Sequence, residues 1–258
     1  MGRTFLSAID PQDQTVFDWV FDPTADKNVR PTDQEMRLYD GVVKDRAIQP
    51  PGSYTEADHP FASRGGLKLD VALAASGIDV SGMTCADLGC STGGFVSCLL
   101  HRGAEKVYAV DTGYGVLDYT LRQDDRVVVM ERSNALHTDP PAEVSEAGVD
   151  IVTIDLGWTK QDKALAAALK WLNPTGKIVT LVKPHYEVPR DTPTRRGKKQ
   201  PKPEPLTLEE SHTITQRVLD AIAGNAELHL NVLGWCDSPI RGAKGGNLEQ
   251  LAWLERRA

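Results

Sequence analysis

The chain has 258 residues, 40% of them hydrophobic and 25% charged, with a formal net charge of −7. That length and balance fit one large α/β domain, or a domain with an extension. No apolar run approaches the roughly 20 residues of a membrane-spanning helix, and the acidic balance weighs against broad, sequence-independent nucleic-acid binding.

The start, Met1 to Asp10, is too polar for a signal peptide. Residues 1–60 are acid-rich and lack a clean hydrophobic period, so they read as an extension of unclear fold before a main domain at 61–258. A helix is expected from Ser63, with Leu67, Val71 and Ala74 at helical spacing and Gly77 at its end. Strands are expected at 83–88, 106–110, 126–131, 149–155 and 176–183, and helices at 93–102, 116–122 and 162–172. Residues 189–205 read as a mobile loop rich in proline and basic residues. A helix over 207–223, capped by Thr207, and two strands at 227–235 and 248–255 close the chain. The alternation predicts a doubly wound, mostly parallel seven-stranded sheet with helices on both faces. Cys85, Cys90, Cys98 and Cys236 form no C-x-x-C pair and have no histidine cluster beside them. They read as reduced, packed thiols of a cytoplasmic protein, with no metal site.

The strand ending at Leu88 runs into a glycine-rich turn and then a helix, and the next strand ends in Asp111. This is a βαβ unit with a loop for close backbone approach and an acid placed for a ribose. Gly89, Gly93 and Gly94 do not fall on G-x-G-x-x-G, and Asp87 stands just before them. A cofactor without phosphate but with an ammonium group suits that pattern, which points to S-adenosylmethionine rather than a dinucleotide. In an open α/β sheet, functional residues gather beyond the carboxyl ends of the strands. Those ends supply Asp87, Asp111, Asp155 and Lys183. Asp155 and Lys183, at neighbouring strand ends, read either as a structural ion pair or as acid–base apparatus.

Lys68 in Ser63-Arg-Gly-Gly-Leu-Lys68 and Glu249 at the start of the last strand complete the series Lys68, Asp155, Lys183, Glu249. That order resembles the Lys–Asp–Lys–Glu tetrad of the FtsJ-type ribose 2′-O-methyltransferases, with their Rossmann-like fold. The segments 63–68, 91–95, 110–115, 129–134, 181–184 and 237–239 are similar to those of the TlyA (hemolysin A-like) ribosomal RNA methyltransferases. The resemblance implies methyl transfer from S-adenosylmethionine to a ribose 2′-hydroxyl of RNA, ribosomal by analogy. It places Lys183 beside the attacking oxygen and makes Lys68 a second cation, with Asp155 and Glu249 orienting the two lysines. It gives the cofactor ribose to Asp111, the methionine part to Asp87, Gly89, Ser91, Gly93, Gly94 and Phe95, and the adenine to Asn134.

Substrate contacts are expected at Arg64, Tyr114 and Trp158, and at Arg195, Arg196, Lys198 and Lys199 in the basic loop. Read without the family, Asn134 is a turn residue, Glu249 a surface acid and Trp158 a core residue. Three features depart from the family. Residues 1–60 do not resemble its S4 RNA-binding domain, which leaves room for a separate RNA-binding partner. Asp155-Leu-Gly-Trp158 stands for the usual Asp-x-Ser-Phe, and the loop after Lys183 is longer and more basic. A small-molecule or non-ribosomal substrate stays open as an alternative, as does a non-catalytic RNA-binding or hemolysin-like role without a membrane span. Oligomeric state is not legible in the sequence.

Overall fold

Short runs rich in valine, isoleucine and leucine, such as Val127–Met130 and Val149–Ile154, become the strands of one sheet. The computed structural model describes residues 58–188, 205–242 and 246–257. All of them fall in the unit Glu56–Ala258. The expectation for residues 1–60 lies almost wholly outside the described residues, as do the basic-loop residues Arg195, Arg196, Lys198 and Lys199.

The strands are β1 (Thr84–Leu88), β2 (Lys106–Val110), β3 (Val127–Met130), β4 (Val149–Ile154), β5 (Leu172–Val182), β6 (Leu230–Asp237) and β7 (Gln250–Arg256). The helices are α1 (Gly65–Ser76), α2 (Gly94–His101), α3 (Tyr119–Arg122), α4 (Ala142–Ala147), α5 (Gln161–Ala168), α6 (Pro184–Glu187) and α7 (Leu208–Gly224). Strand order is β3-β2-β1-β4-β5-β7-β6. Pairings from β3 through β5 are parallel, and β7 runs antiparallel to both β5 and β6. The chain winds outward from β1 to β3, then crosses back to β4, so the switch point lies between β1 and β4.

One face of the sheet presents Ala86, Leu88, Val110, Ile154 and Val182 to Leu165 of α5 and Leu219 and Ile222 of α7. By strand alternation Cys85 and Asp87 face the other side. There α1 and α2 pack on each other, α2 lies over β1 and β2, and α1 lies against β6 and β7. Helix α1 is buried almost all round, which places Lys68 and Asp70 inside the protein. Arg102 closes on Asp70, with Nε donating to Oδ1 at 2.8 Å and Nη2 to the Asp70 carbonyl at 3.0 Å. This clasp fixes α1 to the end of α2.

Two helices depart from the reading of the sequence. The helix expected over 116–122 is reduced to α3, because the Val116 amide donates to Glu131 and the side chain of Asp118 caps at Thr120. The helix expected to reach 172 stops at Ala168. Trp171 turns into the core beside Tyr108, and its carbonyl accepts from Val149. Helices α4 and α6 are too short to leave a period in the sequence. Thr207 forms the expected cap of α7, in a reciprocal capping box with Glu210.

Arg102→Ala leaves the Asp70 carboxylate buried without its cation. Breaking such a pair costs about 3–5 kcal/mol. Urea unfolding should show a loss of that size, and part of it should return in the double variant Asp70→Asn, Arg102→Met. An unchanged midpoint in Arg102→Ala would remove the clasp from the account.

Candidate active site

The edge where β1, β2, β4 and β5 end gathers the predicted side chains. Asp87 lies within β1, Asp111 and Asp155 just beyond β2 and β4, and Lys183 just beyond β5. Because β7 runs antiparallel to β5, with Gln250 opposite Val182, its beginning delivers Glu249 to the same edge. The four tetrad residues form two ion pairs. Lys183 Nζ donates to Asp155 Oδ1 and, at 3.2 Å, to the carbonyl of Leu156. Lys68 Nζ donates to Glu249 Oε2 at 2.5 Å, with both side chains buried. Glu249 is therefore not a surface acid. Lys68 and Asp155 line one open cleft of about 490 Å³, together with Gly89, Gly94 and Phe95 of the glycine-rich turn.

The loops carrying Asp155 and Lys183 are fastened at further points. Glu187 Oε1 accepts from the amide of Gln161 at 2.8 Å. The side chain of Gln161 donates to the Leu181 carbonyl and accepts from Thr180 Oγ1. Trp158 stacks on Tyr186 with ring centres 5.0 Å apart. Trp158 is 78% exposed, which excludes the core reading of that residue. His185 lies 4.0 Å from the Tyr186 ring, and its Nδ1 is buried without a partner. Burial and the neighbouring Lys183 push its pKa down.

Gly89 has φ of +95°, and a Cβ there would fall 2.6 Å from the Asp155 carbonyl, so a side chain is excluded twice over. The amides of Gly89 and Cys90 both donate to Val110. Gly93 caps α2, and Gly94 and Phe95 begin it. Asp111 staples two loops, accepting from Ser91 N at 2.8 Å and Gly113 N at 2.7 Å. Asn134 accepts from Leu136 N through its side chain and from His137 and Thr138 through its carbonyl, so its visible role is that of a turn residue. Tyr114 is 71% exposed, with the Arg132 guanidinium 4.1 Å above its ring. Arg64 precedes α1 and lines the cleft.

Asp87 is 1% exposed. Its Oδ1 accepts from Thr153 Oγ1 at 2.7 Å, and its Oδ2 has no partner. Burial, opposed by the Thr153 bond and reinforced by the charges of Asp155 and Asp111, pushes its pKa up from 3.8 to about 8. An unpartnered buried acceptor, a closely packed glycine turn and the free amides at the start of α2 suit a ligand that carries both an ammonium and a carboxylate. The residues present thus fit the amino-acid end of S-adenosylmethionine.

Several residues here had no role in the sequence reading. Thr153, Gln161, Glu187 and Glu131 act through hydrogen bonds that leave no spacing in a sequence. His59 and Arg241, which also line the cleft, come from distant segments. Among the described residues no group of three His, Cys, Asp or Glu could hold a metal ion.

The profile of the family described as FtsJ-like methyltransferase matches residues 61–251. The chain is 39% identical over 201 residues to a protein of Mycobacterium tuberculosis named 16S/23S rRNA (cytidine-2′-O)-methyltransferase TlyA, an alignment covering 78% of this chain and 70% of that one. It is 36% identical over 193 residues to the hemolysin A of Brachyspira hyodysenteriae, covering 74% and 75%. A solved structure of a hemolysin-like protein from Streptococcus thermophilus superposes with a TM-score of 0.65 at 36% identity, covering 78% of this chain and 68% of that one.

The raised pKa of Asp87 has a measurable consequence. The folded protein holds a proton there that the unfolded chain releases above pH 3.8, so the group's contribution to stability falls as pH rises from about 4 to about 8. Asp87→Asn mimics the protonated acid at all pH values. Between pH 5 and 7 the wild type should lose about 1.4 kcal/mol per pH unit more than the variant. Parallel pH profiles of unfolding would show that Asp87 is ionised in the folded protein.

Proposed function

The chain belongs to the FtsJ-like methyltransferase family, and on that premise we propose that it methylates a ribose 2′-hydroxyl of ribosomal RNA with S-adenosylmethionine as donor. The observation that carries this reading is that two lysine–carboxylate pairs each give one member, Lys68 and Asp155, to the cleft lined by the glycine-rich turn. Relatives at 36–39% identity are named as rRNA methyltransferases, that of Mycobacterium tuberculosis for cytidine 2′-oxygens, and they support the substrate. No helix among the described residues is long and apolar enough to cross a membrane, and an enzyme of ribosomes works in the cytoplasm.

When bound, the cofactor would supply a methyl group carried on a cationic sulfonium, for transfer to the acceptor oxygen. Asp87 Oδ2 is the acceptor for the ammonium, and the amides at the start of α2 are donors for the carboxylate. Asp111 keeps further lone pairs for ribose hydroxyls beside its two backbone bonds. Asn134 lies in the turn after β3, where we assign it to the adenine edge.

Lys183 has three N–H donors. Asp155 and the Leu156 carbonyl take two of them, which leaves one for the acceptor hydroxyl. Held there, the ammonium stabilises negative charge as it grows on the 2′-oxygen. As a free amine the same atom would take the hydroxyl proton. Lys68, paired with Glu249, gives the cleft a second lysine whose charge its partner offsets. Trp158 and Tyr114 present exposed rings suited to stacking on bases. Arg64, Arg195, Arg196, Lys198 and Lys199 complete the proposed RNA contacts.

Incubation with labelled cofactor and ribosomal subunits, followed by digestion to nucleosides, should yield a 2′-O-methylnucleoside. Lys183→Ala should lower turnover by about 10²–10⁴-fold, the usual worth of a positioned acid–base group, while cofactor affinity stays nearly unchanged. Lys183→Arg should not restore turnover, because guanidinium cannot act as a base and is larger. A fully active Lys183→Ala enzyme would overturn the assignment of that lysine.

A further inference from the structure

We propose that Arg241 and His59 form a phosphate subsite at the rim of the cleft, which takes a phosphodiester flanking the acceptor ribose. The proposal rests on the RNA reading above.

The charge of the cleft leads to it. Its only acidic lining residue among the described residues is Asp155, which Lys183 neutralises. Lys68, which also lines the cleft, is neutralised by Glu249. Arg64 has interactions of its own, and the subsite does not require it. The tetrad therefore contributes almost no net field, and Arg241 supplies positive charge that the tetrad does not cancel. In a chain of net charge −7, an anionic substrate needs such a local attraction to enter.

Arg241 is held in place before any ligand arrives. It lies in the connection between β6 and β7, which is closed by Ser238 N to the Glu249 carbonyl at 2.9 Å and Gly242 N to the Asn247 carbonyl at 2.9 Å. Its Nη1 donates to the Gly246 carbonyl at 3.0 Å. A guanidinium anchored through one nitrogen keeps the planar fork that matches two phosphate oxygens. The same connection touches the tetrad, since a Cβ on Gly242 would come within 2.7 Å of Glu249 Oε1. An anion held at Arg241 is thus set in register with the Lys68–Glu249 pair.

His59 adds an independent sign of a missing partner. It lines the same cleft, and its Nδ1 is buried with nothing to bond. Buried polar nitrogens are normally satisfied, and a rotation of the His59 ring that brings this one to the cleft would let a phosphate oxygen satisfy it when it carries hydrogen. The competing anion is the carboxylate of the cofactor. The glycine turn and the start of α2 already offer backbone donors for that group, which leaves the arginine for the RNA.

The test uses the whole 258-residue chain and a ribosomal RNA fragment that the wild type methylates. Arg241→Ala and His59→Ala should each raise the KM for RNA, Arg241→Ala by about tenfold or more, the loss typical of a charge-assisted hydrogen bond. The log–log salt dependence should flatten by about 0.7–0.9 for Arg241→Ala, one phosphate contact. Cofactor affinity should be unchanged in both variants, which also reports that they are folded. In the wild type, replacing the flanking phosphates one at a time by uncharged methylphosphonates should reproduce the loss at one position, and Arg241→Ala should add nothing there. An unchanged KM and salt slope in Arg241→Ala would overturn the subsite, as would a loss of cofactor affinity in its place. If the wild type methylates no RNA at all, the functional reading fails first and takes the subsite with it.

Discussion

Four ionised side chains stand at one edge of an apolar sheet, and they can do so only as pairs. Removing a charge from water is expensive, and a buried ion whose partner is deleted leaves an uncompensated charge. Lys68 with Glu249 and Lys183 with Asp155 meet that constraint as two pairs, each giving one member, Lys68 and Asp155, to the cleft. The topology serves the pairing. Inserting β7 antiparallel between β5 and β6 brings the residue before a strand, Glu249, to the same edge as the residue after β5, Lys183. Had β7 run parallel, Glu249 would lie at the far edge of the sheet and Lys68 would have no counterion.

The acids have a different logic from the lysines. Asp87, Asp111 and Asp155 end three adjacent strands and repel one another, and the cost falls on the most deeply buried, Asp87. Asp111 is relieved by two backbone amides and Asp155 by Lys183. Asp87 has one hydroxyl bond and an unpartnered oxygen. A buried acid that leaves one acceptor oxygen unfilled is suited to a cationic ligand. This distinguishes it from phosphate-binding turns, where amides and lysines gather without acids. In a sheet of this architecture, the acid at the end of β1 is thus a chemical statement about the cofactor.

Much of this arrangement was legible in the chain. Alternating strand and helix patterns give the sheet, and the strand-end positions of Asp87, Asp111, Asp155 and Lys183 follow from where the apolar runs stop. The pairing of Lys68 with Glu249 was not legible from spacing, because the two residues are far apart in sequence; only the family resemblance joined them. What the sequence hid depends on single contacts. Trp158, one aromatic with φ of +60°, carries no period that separates a core ring from an exposed one. Asn134 fits both a turn and a ligand contact by residue type alone. Helices α4 and α6 are one or two turns long, shorter than any pattern that could announce them. Glu187 and Gln161 hold the loops of the Lys183–Asp155 pair together, yet neither stands out among the polar residues around it.

The central claim is that Lys183 and Asp155 act on the acceptor oxygen as one unit, and a double-mutant cycle on turnover tests it most directly. Methylation rates at saturating cofactor and RNA would be measured for Lys183→Ala, Asp155→Ala and the double variant. Residues that work together lose their effect together, so the double variant should be no slower than Lys183→Ala alone. Losses that multiply, with the double variant slower by the product of the two single effects, would show that the residues act independently and would contradict the account.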